Sequence, residues 1–154
     1  MLKMLTKETM QDGVGNEIGV SDWFEVTQQD VNTFADVTRD QQFIHIDPVK
    51  AAASPFGGTI AHGFLSLSML SHFAGNGCGV WIENATMGVN YGFDKVRFIN
   101  PVRVGSKIRG RSTLISAIEK KPGQFLFKQE VTVEIEGVDK PALIAEWLTM
   151  AVVA

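Results

Sequence analysis

The sequence predicts a domain of the α+β class, in which an antiparallel sheet of about five strands curls around one long, apolar helix. An apolar stretch from about Thr59 to Phe73 contains no Asp, Glu, Lys or Arg, and a helix that is apolar all round is normally buried. Four long segments with β-strand character follow it, from Thr86 onward, separated by short turn sequences. Because the helix has only this sheet to pack against, a sheet wrapped around it is the simplest arrangement.

Composition excludes several classes of protein. The chain has 154 residues, 45% of them apolar and 20% charged, which is typical of one soluble globular domain. Its net charge of −3 argues against nucleic-acid binding, and no apolar run reaches the roughly 18 residues that a membrane helix needs. The single cysteine, Cys78, excludes an internal disulfide and fits a reducing compartment. We therefore expect one cytoplasmic domain, spanning residues 1–154, that binds neither nucleic acid nor membranes.

The first third of the chain is predicted to contain short elements. Residues 1–20 form a lead-in segment without a strong pattern, and Ser21–Thr27 is predicted to form the first strand. Thr27 and Asp30 are spaced to begin a helix, whose apolar positions continue to Val37. The segment around Asp40–Asp47 is expected to be non-helical. Asp47 and Pro48 then start a short helix that ends before Pro55.

The second half of the chain is predicted to be sheet. The four expected strands are Thr86–Ile99, Ser106–Ile118, Phe125–Glu136 and Ala142–Val153. Because they follow one another through short turns, they are expected to form an antiparallel meander. One sheet edge would then stay uncovered, so that self-association is expected.

Three polar features stand out between these elements. Asp40 and His45 place a carboxylate close to an imidazole, and His62-Gly63 lies at the N-terminal turn of the apolar helix, where backbone N–H groups have no partner. An acid, a base and an oxyanion donor suit acid–base chemistry on a carbonyl compound. Alternative interpretations remain open: Asp40 is an ordinary turn residue, and His62 is a buried, hydrogen-bonded histidine. His45 and Asp47 as a metal pair lack further ligands at usable spacing.

The two runs Thr38–Pro48 and Pro55–Gly63 together resemble the MaoC-like dehydratase family of hot-dog folds, which includes the (R)-specific enoyl-CoA hydratases. The downstream runs Asn90–Phe98 and Pro101–Gly105 resemble the nodulation-protein-N branch of that family. The sequence departs from the hydratase pattern between the acid and the imidazole. Gln42-Phe43 occupies the place where the hydratases have Asn-Pro, a difference that bears on substrate preference.

The resemblance implies a role for several residues. Asp40 and His45 would hold one water and act as the acid and base pair, and the backbone N–H of Gly63 would bind the thioester carbonyl oxygen. Ser71 matches a position that makes a polar contact near the pair in some hydratases, although a small residue that allows close packing is an equal alternative. The family also implies a homodimer with an acyl tunnel at its interface. The other candidate substrate contacts are Phe43 and Phe56 in the apolar pocket and Arg97 at a CoA phosphate, if Arg97 is more than a surface residue.

The leading hypothesis is a hydro-lyase that reversibly hydrates trans-2-enoyl-CoA to (R)-3-hydroxyacyl-CoA, with no metal and no redox cofactor. The acyl carrier is CoA or acyl carrier protein, and short to medium acyl chains are expected. One alternative is an acyl-CoA thioesterase, although such hot-dog proteins generally carry a lone carboxylate on or near the central helix, and this helix has none. Another is a non-catalytic acyl-thioester-binding protein, because a fold does not establish a function.

Overall fold

The computed structural model describes residues 2–154, which form eight strands and five α-helices. A 3-10 turn at Met10–Gly13 and a π-helical turn at Ala74–Cys78 complete the secondary structure. The elements in chain order are β1 Lys3–Leu5, β2 Glu17–Val20, β3 Phe24–Glu25, α1 Gln28–Thr38, α2 Phe43–Ile46, α3 Pro48–Ala52, α4 Gly63–Ser68, α5 Leu70–Phe73, β4 Val80–Ile82, β5 Ala85–Phe98, β6 Lys107–Lys121, β7 Gln124–Ile135 and β8 Val138–Val153. Within the described range, no helix has the length and apolar character needed to cross a membrane.

The N-terminal segment is more ordered than its sequence predicts. Strand β1 pairs with β4 in a separate two-stranded parallel sheet, and β2 pairs with β6 in the main sheet. Of the predicted first strand, Ser21–Thr27, only Phe24–Glu25 forms a strand, β3, and β2 lies before it in the predicted lead-in segment; the two contact different parts of β6. These strands are only two to four residues long, too short to show the alternation on which a sequence-based prediction depends.

The helix starts predicted from capping residues are confirmed. Thr27 and Asp30 form a capping box at α1, in which each side chain accepts a hydrogen bond from the other residue's backbone N–H. Asp47 caps α3 by accepting from the N–H of Lys50, and Pro48 occupies the first helical position. The expectation of a non-helical Asp40–Asp47 segment was wrong in part, because α2 forms one helical turn there.

The main sheet has six strands in the order β2–β6–β7–β8–β5, with β3 also paired to β6. The predicted meander is correct for β6, β7 and β8, which pair antiparallel with their chain neighbours. It was wrong for β5, which pairs with β8 at the far edge instead of with β6. The connection between β5 and β6, residues 99–106, is not a tight turn: it carries Pro101 and crosses to the segment before α4, where Arg103 forms a β-bridge with Ile60.

The central helix is shorter than predicted, and it is not buried on all sides. It begins at Gly63, because Ile60 is held in the bridge to Arg103, and a change of backbone geometry at Met69 separates α4 from α5. Leu70 and Phe73 are buried against the sheet, whereas Phe64 is 68% exposed. The apolar helix therefore has one face in the core and one uncovered face in the isolated chain.

The sheet contributes its alternating apolar face to the core. Phe125, Phe127, Val131, Val133 and Ile135 of β7 are all buried, as the alternation in the sequence predicts. They belong to two apolar clusters, one of which includes α5 and the other β1 and β4. A curled antiparallel sheet packed around a central helix is the hot-dog architecture, which confirms the predicted α+β class.

Candidate active site

Asp40 lies at the turn that follows α1. The helix ends at Arg39, which adopts the left-handed conformation with φ of 68°, an uncommon choice for a residue with a side chain. This left-handed residue turns the chain out of the helix immediately before Asp40. The carboxylate of Asp40 is about half exposed, so a molecule in the solvent can reach it.

His45 is buried in α2, and its ring orientation is fixed. Its Nδ1–H donates a hydrogen bond of 2.7 Å to the carbonyl oxygen of Ile60, which can only accept. Its Nε2 therefore carries the lone pair and lies 3.9 Å from Oδ2 of Asp40. Burial lowers the pKa of His45 below its ordinary value, although the hydrogen bond to Ile60 opposes this. The neighbouring His62 lowers the pKa further, and the Asp40 carboxylate raises it.

His62 completes a three-residue cluster. Its ring stacks on that of His45, with 3.8 Å between the ring centroids and 24° between the planes. Its Nε2–H donates to the backbone carbonyl oxygen of Asp40 at 3.0 Å, and this nitrogen lies 4.0 Å from Oδ2 of the same residue. The other ring nitrogen, Nδ1, is buried and has no hydrogen-bond partner among the described residues.

Gly63 lies beside this cluster at the first position of α4. Its backbone N–H donates to no protein group in the described part of the chain, as expected at a helix start. The ring of Phe98 packs so closely on Gly63 that a Cβ atom there would lie 2.9 Å from the ring carbon Cδ1. Only glycine fits at this point without movement of Phe98.

A cavity of about 280 Å³ joins His45 to Gly63. Its walls are mostly apolar, and the crossing connection between β5 and β6 forms one of them. The main wall residues are Phe56, Ile60, Ser66, Phe98, Pro101 and Leu143. The cavity therefore presents a buried imidazole and an unpaired N–H group to the same enclosed space.

The structure brings some of the sequence-predicted residues together and leaves others apart. Phe56 lines the cavity, whereas Phe43 is 43% exposed and does not. Ser71 lines a second cavity of about 300 Å³, beside Trp147 and away from Asp40 and His45. Arg97 is exposed on β5, next to the cavity residue Phe98, and its guanidinium donates to the carbonyl oxygen of Val96.

Several contributors to the cavity were missed in the sequence, and two of them, Ser66 and the run Asn100–Val102, are instructive. Ser66 is buried and lines the cavity with Gly63, because residues three apart share one face of a helix. That spacing was a usable signal. The second contributor, Asn100–Val102, comes from the crossing connection, and no local pattern indicates that this connection reaches the segment before α4.

Asp40, His45 and His62 place potential metal-binding atoms within 4.8 Å of one another. One of these atoms is Nε2 of His62, which carries a hydrogen because it faces a carbonyl oxygen. In this tautomer it has no lone pair to offer a metal ion. The arrangement suits a hydrogen-bonding cluster better than a metal site.

Comparison with known proteins assigns a family to this fold and site. Residues 9–137 match the MaoC like domain, and the chain belongs to that family. It is 51% identical over 139 residues to a nodulation protein N of Rhizobium meliloti (strain 1021), covering 90% of this chain and 86% of the relative. It is 44% identical over 146 residues to a 3-hydroxyacyl-thioester dehydratase Z of Mycobacterium tuberculosis (strain CDC 1551 / Oshkosh), covering 93% and 95%.

Solved structures show the same fold. The (R)-hydratase from A. caviae involved in PHA biosynthesis superimposes with a TM-score of 0.70 at 23% sequence identity, covering 88% of this chain and 96% of that one. The hot-dog fold and membership in the MaoC-like family, including its nodulation-protein-N relatives, thus agree with the resemblance in the sequence.

Proposed function

We propose that this protein is a hydro-lyase that reversibly adds water to a trans-2-enoyl thioester and forms the (R)-3-hydroxyacyl thioester. The observation that carries the proposal is that His45 and Gly63 line one cavity, while Oδ2 of Asp40 lies 3.9 Å from Nε2 of His45. A relative that is 44% identical along most of its length is a 3-hydroxyacyl-thioester dehydratase, which supports the same class of reaction.

The distance between the two side chains suits one bridging water. Oδ2 of Asp40 and Nε2 of His45 lie 3.9 Å apart, too far for a direct hydrogen bond. A water oxygen about 2.8 Å from each atom would donate one hydrogen to the carboxylate and one to the imidazole lone pair. Because the Ile60 carbonyl fixes the His45 tautomer, the imidazole enters the reaction as a base.

The proton transfers in this reaction then balance without another reagent. In the hydration direction, Nε2 of His45 takes a proton from the water while the water oxygen bonds to the β-carbon of the enoyl group. The electrons of the C=C bond move toward the thioester carbonyl, whose oxygen becomes negative. The imidazolium then returns the proton to the α-carbon, and the neutral imidazole is restored. The Asp40 carboxylate orients the water and balances the transient positive charge on His45.

The developing negative charge requires a donor, and the N–H of Gly63 can supply it. It donates to no group among residues 2–154 and begins a helix, so its hydrogen would point at a carbonyl oxygen in the cavity. One such donor typically contributes about 3 kcal/mol of transition-state stabilisation. The proposed route consists of proton transfers and one C–O bond, so it requires neither a metal ion nor a redox cofactor.

The test is a spectrophotometric assay with crotonyl-CoA and longer trans-2-enoyl-CoA substrates. The wild-type protein is expected to lower the absorbance of the enoyl-thioester band, and chiral analysis of the product is expected to give the (R) alcohol. A parallel assay for free thiol distinguishes the thioesterase alternative, which would release CoA without hydrating the double bond. Tight binding with neither change would support the non-catalytic alternative and contradict the proposal.

The proposal includes the carrier of the acyl group. Arg97 is the residue before the cavity residue Phe98 in β5. Its exposed guanidinium has no carboxylate partner within the described residues, so it is free to contact a CoA phosphate. Comparing enoyl-CoA with the same acyl group on acyl carrier protein, for wild type and Arg97→Gln, tests this. A higher KM for the variant with CoA substrates is expected, and an unchanged KM would remove Arg97 from the binding site.

We further propose that the active form is a homodimer or a multiple of one. Strand β5 is an unpaired edge, and it exposes Met87, Val89, Tyr91 and Phe93. Long apolar edges of this kind are unusual on monomers, because they invite pairing with another chain. Phe64 of α4 adds exposed apolar surface on the central helix. A second copy of this chain would cover both.

A cytoplasmic location is also part of the proposal. It is supported by the single cysteine, Cys78, because one cysteine cannot form an internal disulfide. Cys78 is also buried, and burial raises the pKa of its thiol to about 11, so that the thiol stays unreactive. Fractionation of cells that produce the protein tests this, and recovery of the protein in a secreted or membrane fraction would contradict it.

A further inference from the structure

His62 has contacts that packing alone does not explain. The ring is 97% buried, yet one of its nitrogens lacks a hydrogen-bond partner within the described chain. Phenylalanine would fill a similar space without leaving a polar atom unpaired. The other nitrogen donates to the backbone of Asp40, and the ring face covers His45. A histidine at this place thus serves both members of the proposed catalytic pair.

We propose that His62 is a positioning residue, which holds Asp40 by its backbone and His45 by its ring plane so that the two can share one water. This inference rests on the proposed function. The other hydrogen bonds made by Asp40, from its own N–H to Thr38 and from the N–H of Gln42 to its carboxylate, are both 3.4 Å long. The 3.0 Å bond from His62 is the shortest of its polar contacts.

Losing this contact would affect the reaction through geometry. Asp40 follows a left-handed residue in an exposed turn, so the turn has few other restraints on its position. A displacement of about 1 Å of a reacting group can lower a rate by about 100-fold. The stacked ring also covers one face of His45 and so fixes the plane of its imidazole, in which the Nε2 lone pair lies on the side of Asp40.

Two substitutions separate the hydrogen bond from the ring. His62→Gln can place its amide N–H where Nε2–H was but has no ring, whereas His62→Phe keeps a ring and removes the donor. We expect His62→Phe to lower kcat by about 10- to 100-fold with little change in KM. His62→Gln is expected to retain more activity than His62→Phe. The exposed third histidine offers a matched control, His72→Gln, which should behave as wild type in every assay.

If His62 serves packing only, the order reverses: His62→Phe keeps wild-type kcat, and His62→Gln loses thermal stability. That result would overturn the proposal. A kcat for His62→Phe within about two-fold of wild type would do the same.

A readout independent of activity is the titration of His45 followed by imidazole NMR. The titratable groups that face His45 are Asp40 and His62, which act in opposite senses: the carboxylate raises the proton affinity of the ring, and His62 lowers it. Both His62 variants should therefore raise the pKa of His45, and His72→Gln should leave it unchanged. An unchanged titration in both His62 variants overturns the inference. If the wild-type protein hydrates no enoyl thioester, the proposed function fails, while this titration still tests the contact.

Discussion

Two backbone carbonyl groups determine how the histidines of the site are protonated. The carbonyl of Ile60 requires a hydrogen on Nδ1 of His45, and the carbonyl of Asp40 requires one on Nε2 of His62. At the scale of single residues, the protonation of the two histidines is thus set by backbone carbonyl groups, which every residue has and which no sequence pattern distinguishes. What they leave available is one imidazole lone pair facing one carboxylate.

The first prediction concerns this pair. Asp40→Asn keeps the shape of the side chain and removes the charge, and His45→Gln removes the base. Each change should lower kcat by about 100-fold or more with little effect on KM, because neither group contributes uniform substrate binding. The double variant should be scarcely worse than either single one, since the two act as a unit. Steady-state kinetics with crotonyl-CoA measures this.

The control for the pair is Asp22→Asn, which changes an exposed carboxylate in the connection between β2 and β3. It should leave kcat unchanged, and circular dichroism should show that all variants are folded. Near-normal hydration by folded Asp40→Asn would remove the pair from the mechanism.

The second prediction concerns pH and stability. Burial holds the pKa of His45 below its ordinary value of about 6.5. Above that pH the ring is neutral in both the folded and the unfolded chain, so His45 does not change the free energy of unfolding with pH. As the pH falls below it, the unfolded chain binds a proton that the folded chain refuses, and the free energy of unfolding decreases. The loss is complete once the pH has passed the folded pKa.

Urea unfolding at pH 7.5 and 5.5 tests this linkage. The decrease in the free energy of unfolding between the two pH values should be smaller for His45→Gln than for wild type. His72→Gln, at the exposed third histidine, is the matched control. Equal decreases in wild type and His45→Gln would mean that His45 titrates alike in both states.

Sequence reasoning at the residue scale found the parts of the site that follow a local pattern. Asp40, His45 and Gly63 were predicted, and the structure brings them to one place. The contacts of His62 with both Asp40 and His45 were missed, because they join residues 17 to 22 positions apart through a fold that spacing does not reveal. Ser71 was assigned to the site but faces a different cavity.

At the scale of elements, the start of α4 and the end of β5 depend on each other. Gly63 gives the helix its first N–H and also lets Phe98 approach closely. The ring of Phe98 also packs edge-on against Phe64 of α4. The glycine therefore matters for the space it leaves as well as for the donor it supplies.

The third prediction tests this dependence. Gly63→Ala keeps the backbone N–H but adds a Cβ atom within 2.9 Å of the Phe98 ring, which must move. Because the donor position shifts with the backbone, kcat/KM should fall by about 10-fold or more. Phe98→Ala opens that space. Gly63→Ala should therefore lower kcat/KM less in the Phe98→Ala background than it does in the wild-type protein.

The comparison of the four rates forms a double-mutant cycle. If the losses of kcat/KM in the two single variants simply add in the double variant, Gly63→Ala affects the site by a route other than the Phe98 ring. Thermal unfolding of each variant separates a change in the site from a loss of fold.

The strands and helices were predicted better than the pairing between the strands. The long strands and the helix starts follow from alternation and capping residues, which are local properties. The pairing of β5 with β8 depends on the path of residues 99–106, which no periodicity describes. That path also supplies a wall of the cavity, so the error in topology and the failure to predict Asn100–Val102 as cavity residues have one cause.

At the scale of the whole molecule, β5 forms an exposed sheet edge without a partner strand among the described residues. It runs for 14 residues and exposes apolar side chains at Met87, Val89, Tyr91, Phe93 and Phe98. The opposite end of the sheet is better protected, since β2 and β3 cover β6. The asymmetry indicates which edge a second copy would use.

The fourth prediction concerns assembly. Light scattering at micromolar concentration should give the mass of a dimer or a multiple of it. Val89→Lys combined with Tyr91→Lys places two charges on the exposed edge and should shift the mass toward the monomer. Val138→Lys is the matched control, because it charges an exposed apolar residue at the β7–β8 turn instead. A monomeric wild-type protein would contradict the proposed dimer.

The pairing of β5 with β8 also sets the order in which the chain can fold during synthesis. Ala85 pairs with Val153 and Phe98 with Leu143, so the edge strand has no partner until β8 has been synthesised. At about 5–20 residues per second, β5 waits on the order of several seconds with its apolar residues unpaired. The hairpins β6–β7 and β7–β8 need only local contacts and can form first. The strand proposed to join two mature subunits is therefore also the one most exposed to aggregation before the subunit is complete.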